Sequence, residues 1–228
     1  MEPRTLRDFY QYAIHLIYAV IIGQSFIIAS TIFVPIENLF NFDGFQKGFA
    51  LFLAYTIVIT GWIGWTKSIT RNSHSENALG NFRFVTDLFI LFLFYYLINL
   101  TSPEKILSYG ETFIWVLPVI FGSYIIWDML KYYEYKCDSP EELQHRKKRF
   151  RDTICFTIPF VIQALLYNYV MQYASGSLIS YGINAWNIVF ISSSFALIIG
   201  YRWKKWVVPT ARKRRSKKRS TGSTLDKF

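Results

Sequence analysis

The run IYAVIIGQSFIIASTIF, Ile17–Phe33, contains no charged residue, and FIWVLPVIFGSYIIW, Phe113–Trp127, meets the same condition farther along the chain. A helix half-buried in a water-soluble protein carries a charged stripe, with a charge every turn or so, on its outer face. These two runs have none, so their surroundings must be hydrocarbon. Working outward from them, six segments are long and apolar enough to cross roughly 30 Å of lipid as helices. They are Tyr12–Val34, Phe49–Trp65, Phe84–Leu100, Thr112–Leu130, Thr153–Tyr173 and Ala185–Tyr201. The chain is 228 residues long and 52% hydrophobic. Six spans account for about half of it and leave no room for a second folded domain.

Charge supplies the topology. Of the 25 lysines and arginines, 23 fall on one side if the even-numbered connections and both termini share that side. The N-terminus carries Arg4 and Arg7; the second connection carries Lys67, Arg71 and Arg83. The fourth holds seven cations between Lys131 and Arg151, and the stretch from Arg202 onward holds eleven. The opposite side keeps Lys47 and Lys105. Such a bias in short loops places the basic side in the cytoplasm. The sequence therefore predicts an all-α, polytopic integral membrane protein: a six-transmembrane-helix bundle with N and C termini cytoplasmic. Residues 1–206 form the transmembrane domain, and 207–228 form a basic cytoplasmic tail without fixed structure. A plasma membrane, or a bacterial or archaeal cytoplasmic membrane, is the expected location. The first segment is longer than the apolar core of a signal peptide and has no small-residue cleavage pattern, so it is expected to remain as a span.

The tryptophans give an independent check. Trp62, Trp65, Trp127, Trp203 and Trp206 fall near the cytoplasmic ends of the expected spans, and Trp115 and Trp186 near the outer ends. Indole favours the headgroup level, where its ring is buried and its N–H finds a polar partner. Cys137 and Cys155 both lie on the reducing side, which argues against a structural disulfide. Small residues mark expected helix contacts: Ser192, Ala196 and Gly200 on the sixth span, Ala19 and Gly23 on the first, Gly61 and Gly64 on the second. Pro118 and Pro159 each remove one backbone hydrogen bond inside a span and are expected to bend it.

Ionisable groups inside spans are the best pointers to function, because an unpaired charge in hydrocarbon is costly. His15, Asp87 and Asp128 lie at similar depth toward the cytoplasmic side, with Asp152 opening the fifth span. Arg83 stands four residues before Asp87, so the two share a helical face and can pair. One expectation is an inner polar layer lining a vestibule, with His15 able to titrate near neutral pH. The plainer alternative is a local Arg83–Asp87 surface pair, with Asp128 at the water and Asp152 at a helix N-terminus. Deeper in, Gln24, Gln163, Asn168 and Ser193 are uncharged; they either line a wet path or form interhelical hydrogen bonds worth about 1 kcal/mol each.

Two basic clusters stand out. Arg146, Lys147, Lys148 and Arg149 precede the fifth span, and Arg212, Lys213, Arg214, Arg215, Lys217, Lys218 and Arg219 crowd the tail. Each cation near a membrane surface adds about 1 kcal/mol of attraction to anionic lipid, so anionic lipid is the expected partner. No aromatic residue interleaves the tail run to stack on bases, which argues against nucleic acid. No zinc, nucleophile-elbow, phosphate-loop or dinucleotide pattern occurs, so no catalytic residue, metal or cofactor is expected. The leading functional expectation is permeation: a small channel or transporter, as a monomer or a homo-oligomer. The alternative is a non-transporting anchor, scaffold or membrane-acting effector that recruits anionic lipid or a partner through its basic face.

Overall fold

The computed structural model describes residues 6–70, 77–102, 109–134, 140–174 and 186–205, and among these every regular element is helical. The helices are α1 (Leu6–Phe33), α2 (Phe42–Ile69), α3 (Ala78–Asn99), α4 (Tyr109–Glu134), α5 (Pro140–Ala174) and α6 (residues 186–205). A single 3₁₀ segment, Ile36–Phe40, joins α1 to α2. Five stretches are long and apolar enough to cross a membrane: Asp8–Phe33, Gly44–Ile69, Ala78–Asn99, Thr112–Glu134 and Arg146–Tyr173. The sixth expected span corresponds to α6, whose apolar centre is bounded by Trp186-Asn187 at one end and by Arg202, Lys204 and Lys205 at the other. The expected tail, with Arg212 through Arg219, lies outside the described residues, as does Cys137.

The helices run past the apolar windows, most of all in α5. That helix begins at Pro140, so the basic stretch Arg146–Arg151 is helical and continuous with the span at Thr153. A helix satisfies its own backbone in any solvent, so a change from charged to apolar side chains does not end it. Proline at its first position suits α5, since the missing N–H would have no partner there. α3 starts at a capped terminus, where the Asn77 side chain accepts a hydrogen bond from the Gly80 amide at 2.9 Å. Pro118 and Pro159 lie inside α4 and α5.

α4 packs against α3 and α5, while α1 packs against α2 and α3. The core between them is built from large apolar side chains, among them Ile14, Ile57, Phe94, Leu97, Phe121 and Phe160, all essentially unexposed. Phe121 stacks on Phe160 with ring centroids 4.3 Å apart, tying α4 to α5. α6 leans on α2 through Phe52 and Phe195, 5.5 Å apart. Outside, the polarity of a soluble protein is reversed. Phe82, Val85, Phe89 and Phe92 make an exposed apolar stripe on α3, as do Ile158, Ile162, Leu165 and Tyr169 on α5. Exposed apolar surface on this scale is foreign to a soluble monomer and suits a lipid-facing wall.

The small residues divide into two groups. A Cβ at Gly61 would lie 2.8 Å from the Phe94 ring, and one at Gly64 would lie 3.4 Å from Arg202, so both glycines allow close approach. Gly23 has nothing within 4 Å of that position. Ala19, Ser192 and Ala196 are exposed, and Gly200 faces the Phe156 ring. On α2 the neighbours of both glycines are side chains of other helices within this chain; the faces on α1 and most of α6 are open.

Candidate functional site

All six helices are tied together by polar contacts at one end of the bundle. At the edge of α1, the Tyr10 hydroxyl donates to Asn81 Oδ1 at 3.1 Å, and its ring stacks on Phe84 with centroids 4.0 Å apart. One turn farther, His15 Nδ1 accepts from the Trp62 indole N–H at 3.2 Å while the imidazole sits edge-on to Trp65. Between α2 and α4, Lys131 donates to the Ser68 hydroxyl, and its ammonium lies 5.1 Å from the centre of the Trp127 ring.

Ion pairs join the helices at this end as well. Arg83 on α3 pairs with Glu134 at the end of α4; both side chains are almost wholly shielded, at 1% and 0% exposure. Asp128 on α4 accepts from Thr153 of α5 at 2.7 Å and from Lys205 of α6 at 3.3 Å. Asp152 on α5 meets Lys204 of α6 at 2.8 Å. Arg202 spreads its guanidinium over the rings of Tyr124 and Tyr201 and donates to the Tyr124 hydroxyl at 3.3 Å. A cation over an aromatic face is stabilised by the ring quadrupole, the more so when both are shielded from water.

This geometry revises the plainer expectation for Arg83 and Asp87. Neither lies at the surface: both are buried, and the guanidinium reaches across to Glu134 on the neighbouring helix. Asp128 is likewise engaged rather than open to water, with its carboxylate only 8% exposed. Sequence inspection missed Glu134, Lys131, Thr153, Ser68 and the cations at the end of α6 as site residues. The available signal was complementarity: Glu134, Asp128 and Asp152 each have a basic residue on a neighbouring helix at matching depth.

About three turns deeper, a smaller polar cluster joins α5 to α6. Gln163 Nε2 lies 2.5 Å from the Phe190 carbonyl oxygen, 2.6 Å from Ser194 Oγ and 2.9 Å from Ser193 Oγ. Both serine hydroxyls also donate to the Phe190 carbonyl at 2.9 Å, so the amide and hydroxyls share one acceptor. The Gln163 carbonyl oxygen is buried with no hydrogen-bond partner among the described residues. Nearer the far end, the Tyr167 hydroxyl donates to Asn187 Oδ1 at 2.8 Å.

Of the expected polar-interior residues, the structure brings Gln163 together with Ser193, and the neighbourhood of Asp128 together with α5 and α6. Gln24 and Asn168 are half-buried, and no hydrogen bond among the described residues joins either to this set. Of the first basic cluster, Lys147 and Arg149 are exposed and Arg146 and Lys148 half-buried along the start of α5. No group of three metal-ligating side chains occurs among the described residues. Comparison with family models, with characterised proteins and with solved structures finds no match to this chain, so its functional reading rests on residues and geometry alone.

Proposed function

We propose that this chain is a six-span membrane protein with both termini in the cytoplasm. In this reading it works as a membrane-embedded anchor or effector whose basic cytoplasmic face engages anionic lipid. The observation that carries the proposal is the contrast between interior and end. Large apolar side chains such as Ile57, Phe94, Leu97 and Phe121 fill the described middle of the bundle. Polar chemistry collects at the end where Arg83, Lys131, Asp128 and Lys205 meet. A bundle filled this way suits anchoring better than conduction. Positive charge at the cytoplasmic leaflet suits contact with anionic headgroups.

The test has two parts. Protease accessibility should report Lys148 and Lys213 from the same side of sealed vesicles; opposite sides would end the topology. Removing Arg212–Phe228 should weaken binding to vesicles containing phosphatidylglycerol while leaving binding to phosphatidylcholine vesicles unchanged. Full retention of anionic-vesicle binding would count against the proposal.

Permeation is the second reading, favoured by one observation: the Gln163 carbonyl oxygen, buried between helices and without a partner among the described residues. A polar atom in that state could face a transient water or solute. Liposome flux should then fall in Gln163→Leu and Asp87→Asn relative to the unaltered protein. Background flux in all three would remove this reading.

A further inference from the structure

Polar side chains in the apolar stretch of α1 find partners in different ways. Ser25, Ser30 and Thr31 each donate to a backbone carbonyl about one turn back, at 2.6, 2.7 and 2.8 Å. His15 accepts from Trp62 on α2. Gln24, near the middle of the stretch Asp8–Phe33, makes no hydrogen bond among the described residues. A primary amide offers two N–H donors and a carbonyl acceptor, and lipid tails satisfy none of them. Gln24 is half-buried, so its amide is within reach of a neighbour outside the chain.

The helix surface beside it is open. Leu16, Ala19, Val20, Gly23 and Ile27 are exposed along one side of α1. Gln24 borders that side, four residues after Val20 and three before Ile27. A Cβ at Gly23 would meet nothing within 4 Å, so no part of this chain covers that point. α1 and α5 are the least enclosed of the five apolar stretches. α5 also carries a half-buried amide without a hydrogen bond among the described residues, Asn168. That residue lies nearer the end of its stretch, Arg146–Tyr173, where water and headgroups can serve it.

We infer that this side of α1 is the interface of a homodimer, in which the Gln24 amides of two copies bond to each other across a twofold axis. A second copy is the occupant that the amide selects, because an amide complements itself. Its N–H donates to the carbonyl of its mate, and its own carbonyl accepts in return. Ala19 and Gly23 let the two backbones approach closely enough for that exchange, with Val20 and Ile27 packing alongside. The small residues alone would call for no partner; the mid-membrane amide does. The inference rests on the membrane reading proposed above, since in water the solvent would satisfy Gln24.

In the experiment, two populations of the full-length protein, labelled at the C-terminus with a donor or an acceptor dye, are reconstituted together in phosphatidylcholine vesicles. Energy transfer is followed over a range of protein-to-lipid ratios and should fall as the protein is diluted in lipid. Gln24→Leu should weaken association about tenfold, since two interhelical amide bonds are lost from the symmetric pair. Gly23→Leu should weaken it at least as much by holding the backbones apart. The space over Gly23 is empty within this chain, so an unchanged unfolding midpoint for that variant separates lost association from lost fold. Asn168→Leu should leave association as it was. Association that survives both α1 variants, or that is lost in Asn168→Leu instead, overturns this interface. Absence of energy transfer at every ratio in the unaltered protein also overturns it, and leaves the α1 face to a different membrane protein. Release of the protein from vesicles by alkaline carbonate would bring down the membrane reading itself, so the two failures are distinguishable.

Discussion

The charged end of the bundle and its middle solve the same problem with different chemistry. At the end, ions are tolerated because carboxylates meet cations from other helices: Glu134 with Arg83, Asp128 with Lys205, Asp152 with Lys204. About three turns deeper along α5 and α6 the joints are made by uncharged groups, Gln163 with Ser193 and Ser194. The difference follows from solvent. Near the headgroups, water and lipid phosphate soften the cost of an ion. In the hydrocarbon centre an ion has no such help, so amides and hydroxyls do the joining. The two regions should therefore respond to mutation in opposite styles: the end through stranded charge, the middle through shape.

The largest effect should come from Glu134→Ala. It leaves the Arg83 guanidinium buried without the carboxylate that it reaches, and such a change typically costs about 3–5 kcal/mol. Thermal unfolding in detergent should show a large fall in stability. Replacing both partners by apolar residues, Arg83→Met with Glu134→Leu, removes the stranded ion and should recover most of the loss. Equal stability of the single and double variants would show that the pair is solvated, and the contrast between end and middle would lose its basis.

A steric test sharpens the other half of the comparison. Gly61→Ala places a Cβ 2.8 Å from the ring of Phe94, which is itself fully buried and has little room to turn. Overpacking of this kind costs roughly 1–3 kcal/mol. Gly23→Ala meets nothing within 4 Å and should be neutral or stabilising by up to about 1 kcal/mol, since alanine restricts the unfolded chain more than glycine does. Unfolding midpoints of the two variants, compared under identical detergent, give the sign directly. If both behave alike, α2 and α3 are not in close contact at Phe94.

How much of this was legible in the sequence depends on the range of the interaction. The apolar windows located the helices, because exclusion from water is a property of each segment by itself. Their ends were not legible: Arg146–Arg151 reads as a connection, yet it is helix, since charged side chains do not interrupt backbone hydrogen bonding. The Arg83–Asp87 spacing puts the two on one helical face but says nothing of Glu134. The bond to Glu134 crosses between α3 and α4, and no periodicity within either segment reports which neighbour will be adjacent. Gln163 and Ser193 were recognisable by their shared depth, whereas Gln24 gave the same signal and has no hydrogen bond to them among the described residues. Depth can be read from position in a span; azimuth around the bundle cannot.

The smallest effect belongs to Gln163→Leu. The substitution removes hydrogen bonds to Phe190, Ser193 and Ser194, and interhelical bonds in a membrane average well under the roughly 2 kcal/mol expected in isolation. It also removes a buried carbonyl oxygen that has no partner among the described residues, which offsets part of the loss. Ser193 and Ser194 both donate to the Phe190 carbonyl, so their hydroxyls stay satisfied without the glutamine. The net change should be within about 1 kcal/mol, against several for Glu134→Ala. A loss as large as that of Glu134→Ala would mean that the mid-depth amide, not the charged end, is the principal polar joint of the bundle.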